Sequence, residues 1–428
     1  MKIIGYIKRT IKMINIILNV SFHIFIYKLN LKSYSDTIIN ISNSLVNQSY
    51  IFIKVIQWGL QNVYDLDFDE KVMNYFNTFS NNVPYTTLEL EQSILSIHKA
   101  VDYASTFCNN ALEIKNNHTP INSGSVALVY KGYLNDKPVI IKVLRYNIIN
   151  TIEEDICFLE YFFDNIFIKN IINYFIKINF KNFINIHRNI LLKQCDFKSE
   201  VNNALLFKNN LKNKKNIVIP YMYEYFTNAF HEIIVMDFID GPIAKNVTPH
   251  QLQNHNETIQ SLYFESLFQY NILHGDFHLG NIIIVDENIL GIIDFGIIHE
   301  VNHEISNKLF DIILLNLNRT TANVSLLLKN LVNLVCIDEK KCKDILIKIK
   351  NDNELMSLLF DTTFSGSALV SVLNKIIKID NVDLNNHVIN LLFSFSSGLQ
   401  TLENCTKKNN NGYSTTKFIK SYMNKIKM

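Results

Sequence analysis

The hydrophobic pattern divides the chain into a helical N-terminal part, a short region of strands and a long helical C-terminal part. Residues 1–117 follow helical periodicity and contain no run of period-two alternation. After residue 119 the pattern changes, because SVALVYKGYL and KPVIIKVLRY are two β-rich runs joined around Asn-Asp, which predicts a hairpin. Residues 151–193 and 303–400 are again typical of helices.

The middle of the chain mixes both kinds of pattern. DFKSEVNNALLFKNNL places Phe197, Val201, Ala204 and Leu205 on one helical face. NIVIPYMYEYF and HEIIVMDFI are predicted to be strands, and TIQSLYFESLFQYNIL is predicted to be an amphipathic helix. This order of elements predicts an α+β arrangement of two lobes, with the chemistry-bearing motifs at their junction.

Composition narrows the classes of function. With 48% hydrophobic and 19% charged residues, the chain of 428 residues is expected to fold into one large domain or two to three units. The net charge is +2 and only four of the 41 basic residues are arginine, so a nucleic-acid partner is not expected. The six cysteines form no C-x-x-C pair, which favours reduced thiols in an intracellular compartment.

The N-terminus combines basic and apolar residues. The apolar run Ile14–Tyr27 is shorter than the roughly 20 residues that span a bilayer, and no small-residue cleavage site follows it. A secretory signal and a clear transmembrane segment are therefore not predicted. Basic residues precede the run and the first acidic residue is Asp36, which leaves three alternatives: a helix lying on a membrane surface, a targeting sequence, or a helix packed on the main domain.

The segment HGDFHLGN, followed 13 residues after its last position by Asp-Phe-Gly, carries the chemistry. Mg²⁺ prefers hard oxygen ligands, and Asp294 offers a carboxylate while Asn281 offers an amide oxygen. Asp276 is placed to accept a proton from a nucleophile or to orient a water molecule. His274 and His278 have no third ligand nearby, so a zinc site is not predicted. The spacing indicates phosphoryl transfer from a nucleotide.

A cation is expected on the nucleotide side of such a site. Lys142 in VIIKVL lies within a predicted strand and would be buried there, where an unpaired charge is costly. Glu200, which alone would be an ordinary solvated helix charge, is the candidate partner. The preceding loop contains Ser123, Gly124 and Ser125 but no G-x-G-x-x-G, and the absence of a P-loop motif excludes that class of NTPase.

These motifs resemble those of the UbiB family of atypical protein-kinase-like proteins, also called aarF-domain or ADCK kinases. HGDFHLGN is similar to the family's H-x-D-x-H-P-G-N loop, and IIDFG to its metal-binding motif. SGSVALVYKG with VIIKV resembles its Ala-rich loop and β3 lysine, and YIFIKVIQWGLQNV with NNVPY resembles its K-x-G-Q element. The resemblance runs from about residue 45 to 400.

The resemblance implies a bilobal protein-kinase-like fold to which an N-terminal helical extension is added. It also implies that the protein binds Mg²⁺ together with ATP or ADP. It implies that Lys142 and Glu200 pair near the phosphates, and that Asp276 holds the catalytic-loop position. It also implies roles for further residues: Asn281 and Asp294 in binding Mg²⁺, Ser123, Gly124, Ser125 and Met236 in binding nucleotide, and Lys54 and Gln57 in folding over the site as regulatory residues.

The chain departs from the family pattern in three places. The glycine of K-x-G-Q is Ile56, the proline of H-P-G-N is Leu279, and Asn122, Ser123 and Gly124 stand where the family has alanines. Gly124 is expected to free backbone N–H groups for phosphate, so the loop would handle nucleotide more as an ordinary kinase does.

The expected organisation has five parts: an N-terminal basic segment at 1–44, the family-specific extension at 45–117, an N-lobe at 118–240 with a helical insert at 151–195, a C-lobe at 241–405, and a tail at 406–428. The expected function is that of an ATP-dependent UbiB-type kinase or ATPase acting near isoprenoid-lipid (coenzyme Q-like) metabolism or at a membrane surface. Two alternatives remain open: a small-molecule phosphotransferase of the aminoglycoside or choline kinase type, and a non-catalytic nucleotide-binding scaffold.

Overall fold

The computed structural model contains sixteen labelled helices and ten strands among the residues that it describes, which are 2–49, 51–54, 56, 69–79, 83–115, 118–164, 188–317, 320–361, 366–377, 384–407 and 415–426. The strands are β1 (Leu112–Ile114), β2 (Asn122–Ser123), β3 (Ala127–Leu134), β4 (Lys137–Leu144), β5 (Ile217–Val218), β6 (Ile233–Asp237), β7 (Ile272–His274), β8 (Ile282–Ile284), β9 (Leu290–Ile292) and β10 (Ile298–Glu300).

The helices precede, separate and follow these strands along the chain. They are α1 (Lys2–Lys28), α2 (Tyr34–Gln48), α3 (Glu70–Thr78), α4 (Thr87–Phe107), α5 (Ile148–Asp164), α6 (Phe197–Asn210), α7 (Glu224–Ala229), α8 (Pro249–Gln253), α9 (Asn256–Phe268), α10 (His303–Leu317), α11 (Thr321–Val335), α12 (Glu339–Lys350), α13 (Asn353–Asp361), α14 (Gly366–Ile377), α15 (Asn386–Lys407) and α16 (Thr415–Ile426). The mixture confirms the α+β class.

The chain forms two compact units. The first unit combines Met1–Ile184 with Tyr223–Asp237, and the second combines Asn185–Met222 with Phe238–Met428. The first unit holds a five-stranded sheet in which β1, β3, β4 and β6 are neighbours in that order and β2 also pairs with β3. All of its pairings are antiparallel.

The predicted hairpin is confirmed as β3 and β4. Asn135 and Asp136 join the two strands with φ angles of 49° and 65°. A two-residue loop with both residues in the left-handed region matches the right-handed twist of the strands, and Asn and Asp adopt this region more readily than most residues. The local sequence therefore determines the register, which pairs Leu134 with Lys137 next to the turn.

One face of this sheet forms the core of the first unit. In β4 the residues Val139, Ile141 and Val143 are buried and alternate with less buried positions, as expected for a strand with two different faces. Helix α4 covers the apolar face through Ile97, Ala100 and Ala104. The remaining buried members are Leu112, Leu128, Tyr130, Leu134, Phe226, Ile233 and Val235.

The N-terminal helix α1 has two different faces. On one face Lys12 forms an ion pair of 2.8 Å with the buried Asp155 of α5. On the other face large apolar side chains repeat at helical spacing and are exposed: Ile7, Ile11, Ile14, Leu18, Phe22 and Phe25. The helical segment Ile7–Lys28 has 22 residues, so it is longer than the apolar run and meets the length and composition of a bilayer span.

The second unit is mainly helical and carries two small sheets. β7 pairs antiparallel with β10, while β9 lies between β8 and the short parallel strand β5. The sequence HGDFHLGN begins at His274, the last residue of β7, and Asp-Phe-Gly follows β9. The helical prediction for 303–400 is confirmed in the described residues by α10 to α15.

Two local predictions are wrong. Residues 216–226 form only the two-residue strand β5 and then enter helix α7, since Pro220 lacks the N–H that a longer strand would need. Residues 112–114 form strand β1 where helix was expected, because three residues are too few to show alternation. Of the helix predicted at 151–193, residues 165–187 lie outside the described residues.

Candidate active site

His274 connects the two sequence motifs of the second unit. It ends β7, is 3% exposed, and its Nε2 donates a 2.6 Å hydrogen bond to the backbone carbonyl of Asp294. Its Nδ1 accepts the backbone N–H of Asp276 at 3.3 Å. Burial lowers the pKa of His274, which agrees with a neutral ring that uses one nitrogen as donor and the other as acceptor.

The loop after His274 holds Asp276 and Asn281 together. The Asn281 amide nitrogen donates to the Asp276 carbonyl at 3.0 Å, so its Oδ1 remains as a ligand atom. Residues Leu279–Asn281 form a short 3₁₀ turn, and the Nδ1 of His278 accepts the N–H of Gly280 at its start. This turn fixes the backbone at the Asn281 end of the loop.

His278 also faces the candidate catalytic carboxylate. Its Nε2 lies 3.6 Å from Oδ1 of Asp276. Burial acts to lower the pKa of His278, but the charge and hydrogen bond of Asp276, together with the charge of Asp294, outweigh burial, so the pKa is raised. The arrangement is a ring that braces the Asp276 side chain within the loop.

The Asp-Phe-Gly segment follows the fully buried strand β9. Oδ1 of Asp294 accepts the backbone N–H of Gly296 at 3.0 Å. Phe295 is fully buried, and its ring lies 5.5 Å from that of Phe207 and 6.0 Å from that of His274. These aromatic contacts fix the position of Phe295 and so of the Asp-Phe-Gly segment.

Helix α6 carries a second carboxylate to the same place. Glu200 is 2% exposed, so it is not the ordinary solvated helix charge that its sequence context alone would suggest. A Cβ atom built on Gly296 would lie 3.4 Å from Oδ1 of Asp294 and 3.8 Å from Oε2 of Glu200, so both carboxylates converge on one small region. Glu200 is buried and Asp294 is partly exposed, and two carboxylates this close favour a cation between or beside them, because like charges disfavour each other's ionised form.

Asn203 is a residue of this site that the sequence analysis missed. It lies one helical turn after Glu200 on α6 and donates from Nδ2 to the carbonyl of Phe295 at 2.8 Å. The i, i+3 spacing from Glu200 is the only local signal that places it on the same face. Helix α6 therefore contacts the Asp-Phe-Gly segment through a polar side chain as well as through Phe207.

Lys142 and Met236 share one face of the sheet in the first unit. Lys142 is paired in register with Val129 and Ile234, and Ile140 is paired with Met236, so these side chains point away from the α4 core. Lys142 lies in a central strand, because β4 has β3 on one side and β6 on the other. It is partly exposed, so the expectation that it is fully buried is wrong.

The loop between β2 and β3 holds the three candidate nucleotide-binding residues. Ser123 and Ser125 are 5% and 6% exposed. The N–H of Gly124 donates to the Ala127 carbonyl at 2.9 Å, so this N–H is not available to a phosphate in the conformation described, contrary to the expectation. An added Cβ would meet the Ala127 oxygen at 3.4 Å, an ordinary contact, so the loop does not require glycine at 124.

The K-x-G-Q-like element is only partly described. Lys54 is 6% exposed, and its neighbour Ile53 packs with Phe79 and Val83. Gln57 lies outside the described residues. The packing of Ile53 places this element beside the segment that precedes α4.

The donor set of the second unit fits Mg²⁺. Asp294 and Asn281 offer hard oxygen atoms, and Glu200 adds negative charge beside Asp294. A carboxylate has about four lone-pair positions, so accepting the Gly296 N–H leaves capacity for a metal ion at Asp294. Histidine and cysteine ligands, which zinc prefers, form no cluster of three in the described residues.

The sequence profile of the ABC1 atypical kinase-like domain matches residues 112–327, which is 216 of the 428 residues. The chain belongs to this family. The matched range contains Lys142, Glu200, Asp276, Asn281 and Asp294. The resemblance to UbiB and ADCK proteins is thus confirmed, and the fold is kinase-like.

Curated relatives agree with this assignment. The probable protein kinase UbiB of Shewanella oneidensis is 30% identical over 183 residues, covering 40% of this chain and 32% of the relative. The Shewanella woodyi protein of the same name is 27% identical over 178 residues, again 40% and 32%. The matches thus span about a third of the length of these relatives.

A solved structure is also similar to the chain. The complex of Rv3197 with erythromycin from Mycobacterium tuberculosis aligns with 73% of this chain and 82% of its own chain, at 16% sequence identity and a TM-score of 0.44.

Proposed function

We propose that the chain is an ATP-dependent kinase or ATPase of the UbiB type that uses Mg²⁺. The observation that carries the proposal is the hydrogen-bonded unit in which His274 joins Asp294 to the loop of Asp276 and Asn281. In such a unit the metal ligands and the candidate base are fixed relative to one another before the nucleotide binds, and phosphoryl transfer depends mainly on positioning and charge.

Each residue then has a defined role. Asn281 and Asp294 hold Mg²⁺, which neutralises charge on the phosphates when it is bound. Asp276 accepts the proton of the attacking hydroxyl group or water, and His278 keeps its carboxylate oriented. Lys142 contacts the phosphates with Glu200 as its counter-charge, while Ser123, Ser125 and Met236 line the nucleotide site. Lys54 and Gln57 regulate access of the acceptor.

The acceptor side of the proposal rests on the family and on α1. A UbiB-type protein would act near isoprenoid-lipid metabolism, and the exposed apolar side chains of α1 suit a membrane surface. The basic residues Lys8, Arg9 and Lys28 of the same helix favour anionic lipid. We therefore propose that the protein is intracellular and associates peripherally with a membrane.

Turnover tests the enzymatic part of the proposal. ADP release from Mg-ATP should be measured for the full chain with and without anionic lipid vesicles. We expect Asp276→Asn to lower the rate by at least about 100-fold while Mg-ATP still binds, because the base is lost but the metal ligands stay. Asp311→Asn, at an exposed residue of α10, is the matched control and should keep the rate.

Two outcomes would contradict the proposal. If wild-type protein binds Mg-ATP but shows no turnover under any of these conditions, the chain is a nucleotide-binding scaffold. If Asp276→Asn turns over as fast as Asp311→Asn, the loop does not supply the base.

A further inference from the structure

Arg145, the residue after β4, has a fully engaged guanidinium group. It is 4% exposed, although arginine is rarely buried to this extent. Its Nε donates to the Gly124 carbonyl at 3.0 Å, and Nη2 donates to Ser123 Oγ at 2.8 Å. One edge of the group thus holds the loop between β2 and β3.

The rest of the guanidinium holds the segment before α4. Nη1 donates to the Pro84 carbonyl at 2.9 Å and to Oε1 of Glu89 at 3.1 Å, and Nη2 donates to the Val83 carbonyl at 3.0 Å. Together with the two bonds to the loop, all five N–H donors of Arg145 are used. Such complete use of a planar fork is a geometry that lysine cannot reproduce.

Glu89 serves the clamp and the helix at once. Its Oε2 accepts the backbone N–H of Thr86 at 2.7 Å in a capping box at the start of α4, while Oε1 faces Arg145. The carboxylate and Arg145 are both largely buried, with side-chain exposures of 19% and 3%. The N-terminus of α4 is therefore fixed relative to the loop by one shared carboxylate.

Direct bonds between the two segments complete the connection. The Val83 N–H donates to the Ser123 carbonyl at 2.9 Å, and Ser123 Oγ donates to the Val83 carbonyl at 2.6 Å. The side chain of Val83 packs with Ile53, the neighbour of Lys54 in the K-x-G-Q-like element. A continuous path of contacts thus runs from that element through Val83 to the loop.

We propose that Arg145 and Glu89 are positioning residues that hold the loop 122–126 in its nucleotide-binding shape and couple it to the N-terminal extension. The proposal rests on the proposed function, because it assumes that this loop contacts the phosphates. The part of the proposal that concerns tethering of the loop rests only on the hydrogen bonds of Arg145 and Glu89. Movement of residues 83–89 would then be transmitted to the nucleotide site.

Two variants and one control test the clamp in the full chain. Glu89→Gln removes the charge but keeps a capping box, since Gln also serves at this position. Arg145→Lys keeps the charge but loses the fork. Asp155→Asn is the control, because it removes the charge that pairs with Lys12, while its amide oxygen can still accept the Ile51 N–H and it lies outside the clamp. Fluorescent ADP with Mg²⁺ is the binding probe, used well below each melting temperature.

We expect both clamp variants to weaken ADP binding by at least about 10-fold, and the control to bind as wild type does at a comparable loss of melting temperature. Amide hydrogen exchange of residues 122–130 should accelerate in the clamp variants alone. Exchange and affinity that match those of Asp155→Asn would overturn the inference.

The two failures are separable. If wild type itself does not bind nucleotide, the proposed function fails, and hydrogen exchange in the loop still reports whether Arg145 tethers it. If wild type binds nucleotide and the clamp variants match the control in ADP affinity and hydrogen exchange, the clamp proposal fails while the proposed function stands.

Discussion

Asp294 contributes to the site through two separate groups. Its backbone carbonyl accepts from His274, and its side chain accepts from Gly296. Asparagine at this position has nearly the same shape and can still accept the Gly296 N–H, but it carries no charge. A substitution of Asp294 by asparagine thus removes the metal-binding charge while the hydrogen-bonded frame remains, which makes it the most informative single change in the protein.

A buried histidine makes stability depend on pH. His299 of β10 is 5% exposed and shares a 2.9 Å hydrogen bond with Ser394, and burial, aided by Lys193, lowers its pKa to about 3. The unfolded chain takes up a proton near pH 6.5, so it binds more protons than the folded chain between pH 6.5 and about 3. The contribution of neutral His299 to the free energy of unfolding is fully present above pH 6.5 and decreases as the pH falls from 6.5 towards about 3.

Urea unfolding at pH 7 and pH 5 tests this effect. We expect wild type to lose about 1–2 kcal/mol more than His299→Gln between the two pH values, since one proton contributes at most about 1.4 kcal/mol per pH unit. His250→Gln, at an exposed histidine of α8, is the control and should follow wild type. Equal losses in wild type and His299→Gln would show that His299 does not stay neutral in the fold.

At the scale of elements, local chemistry explains which predictions succeed. The hairpin of β3 and β4 is readable because its alternation spans eight residues in each strand and its turn residues tolerate positive φ. Helix α6 is readable from the spacing of Phe197, Val201 and Ala204, all of which are buried. Each of these signals lies within one helix or two consecutive strands, so it can be recognised without knowledge of the tertiary structure.

The sequence misleads or gives no signal where residues that are distant in the sequence determine the local structure. Segment 216–226 is rich in β-favouring residues, yet Phe226 is buried in the core of the sheet from a helix. Glu200 carries no local mark of burial, because the groups beside it, such as Gly296 and Asp294, are more than 90 residues away. The partners of Arg145 are likewise up to 62 residues away, so the clamp has no signature in the sequence.

The exposed face of α1 makes a prediction about membranes. We expect the full chain to float with vesicles that contain phosphatidylserine, and Leu18→Gln with Phe25→Gln to abolish flotation, because both side chains are exposed on the apolar face. Phe107→Gln, at an exposed phenylalanine of α4, is the matched control and should float normally. Flotation of the double variant at the wild-type level would rule out α1 as the membrane-binding element.

At the scale of the whole molecule, the candidate residues belong to two units. The second unit holds the loop, the Asp-Phe-Gly segment and Glu200, while the first holds Lys142, Met236 and the clamped loop. The sequence indicates the chemistry of the second unit because its motifs are short and continuous. It indicates much less about the first unit, where the loop is held by contacts among β2, β4 and the segment before α4.

The most direct test of the central claim is thermal unfolding with ATP, with ADP and without nucleotide, each with and without Mg²⁺, on wild type and Asp294→Asn. A ligand at 100 times its Kd stabilises the folded state by about 2.7 kcal/mol, which shifts the melting temperature by a few degrees. We predict a shift that requires Mg²⁺ and is lost in Asp294→Asn. No shift with either nucleotide, or a shift of equal size in both proteins, would contradict a Mg²⁺-dependent nucleotide site at Asp294.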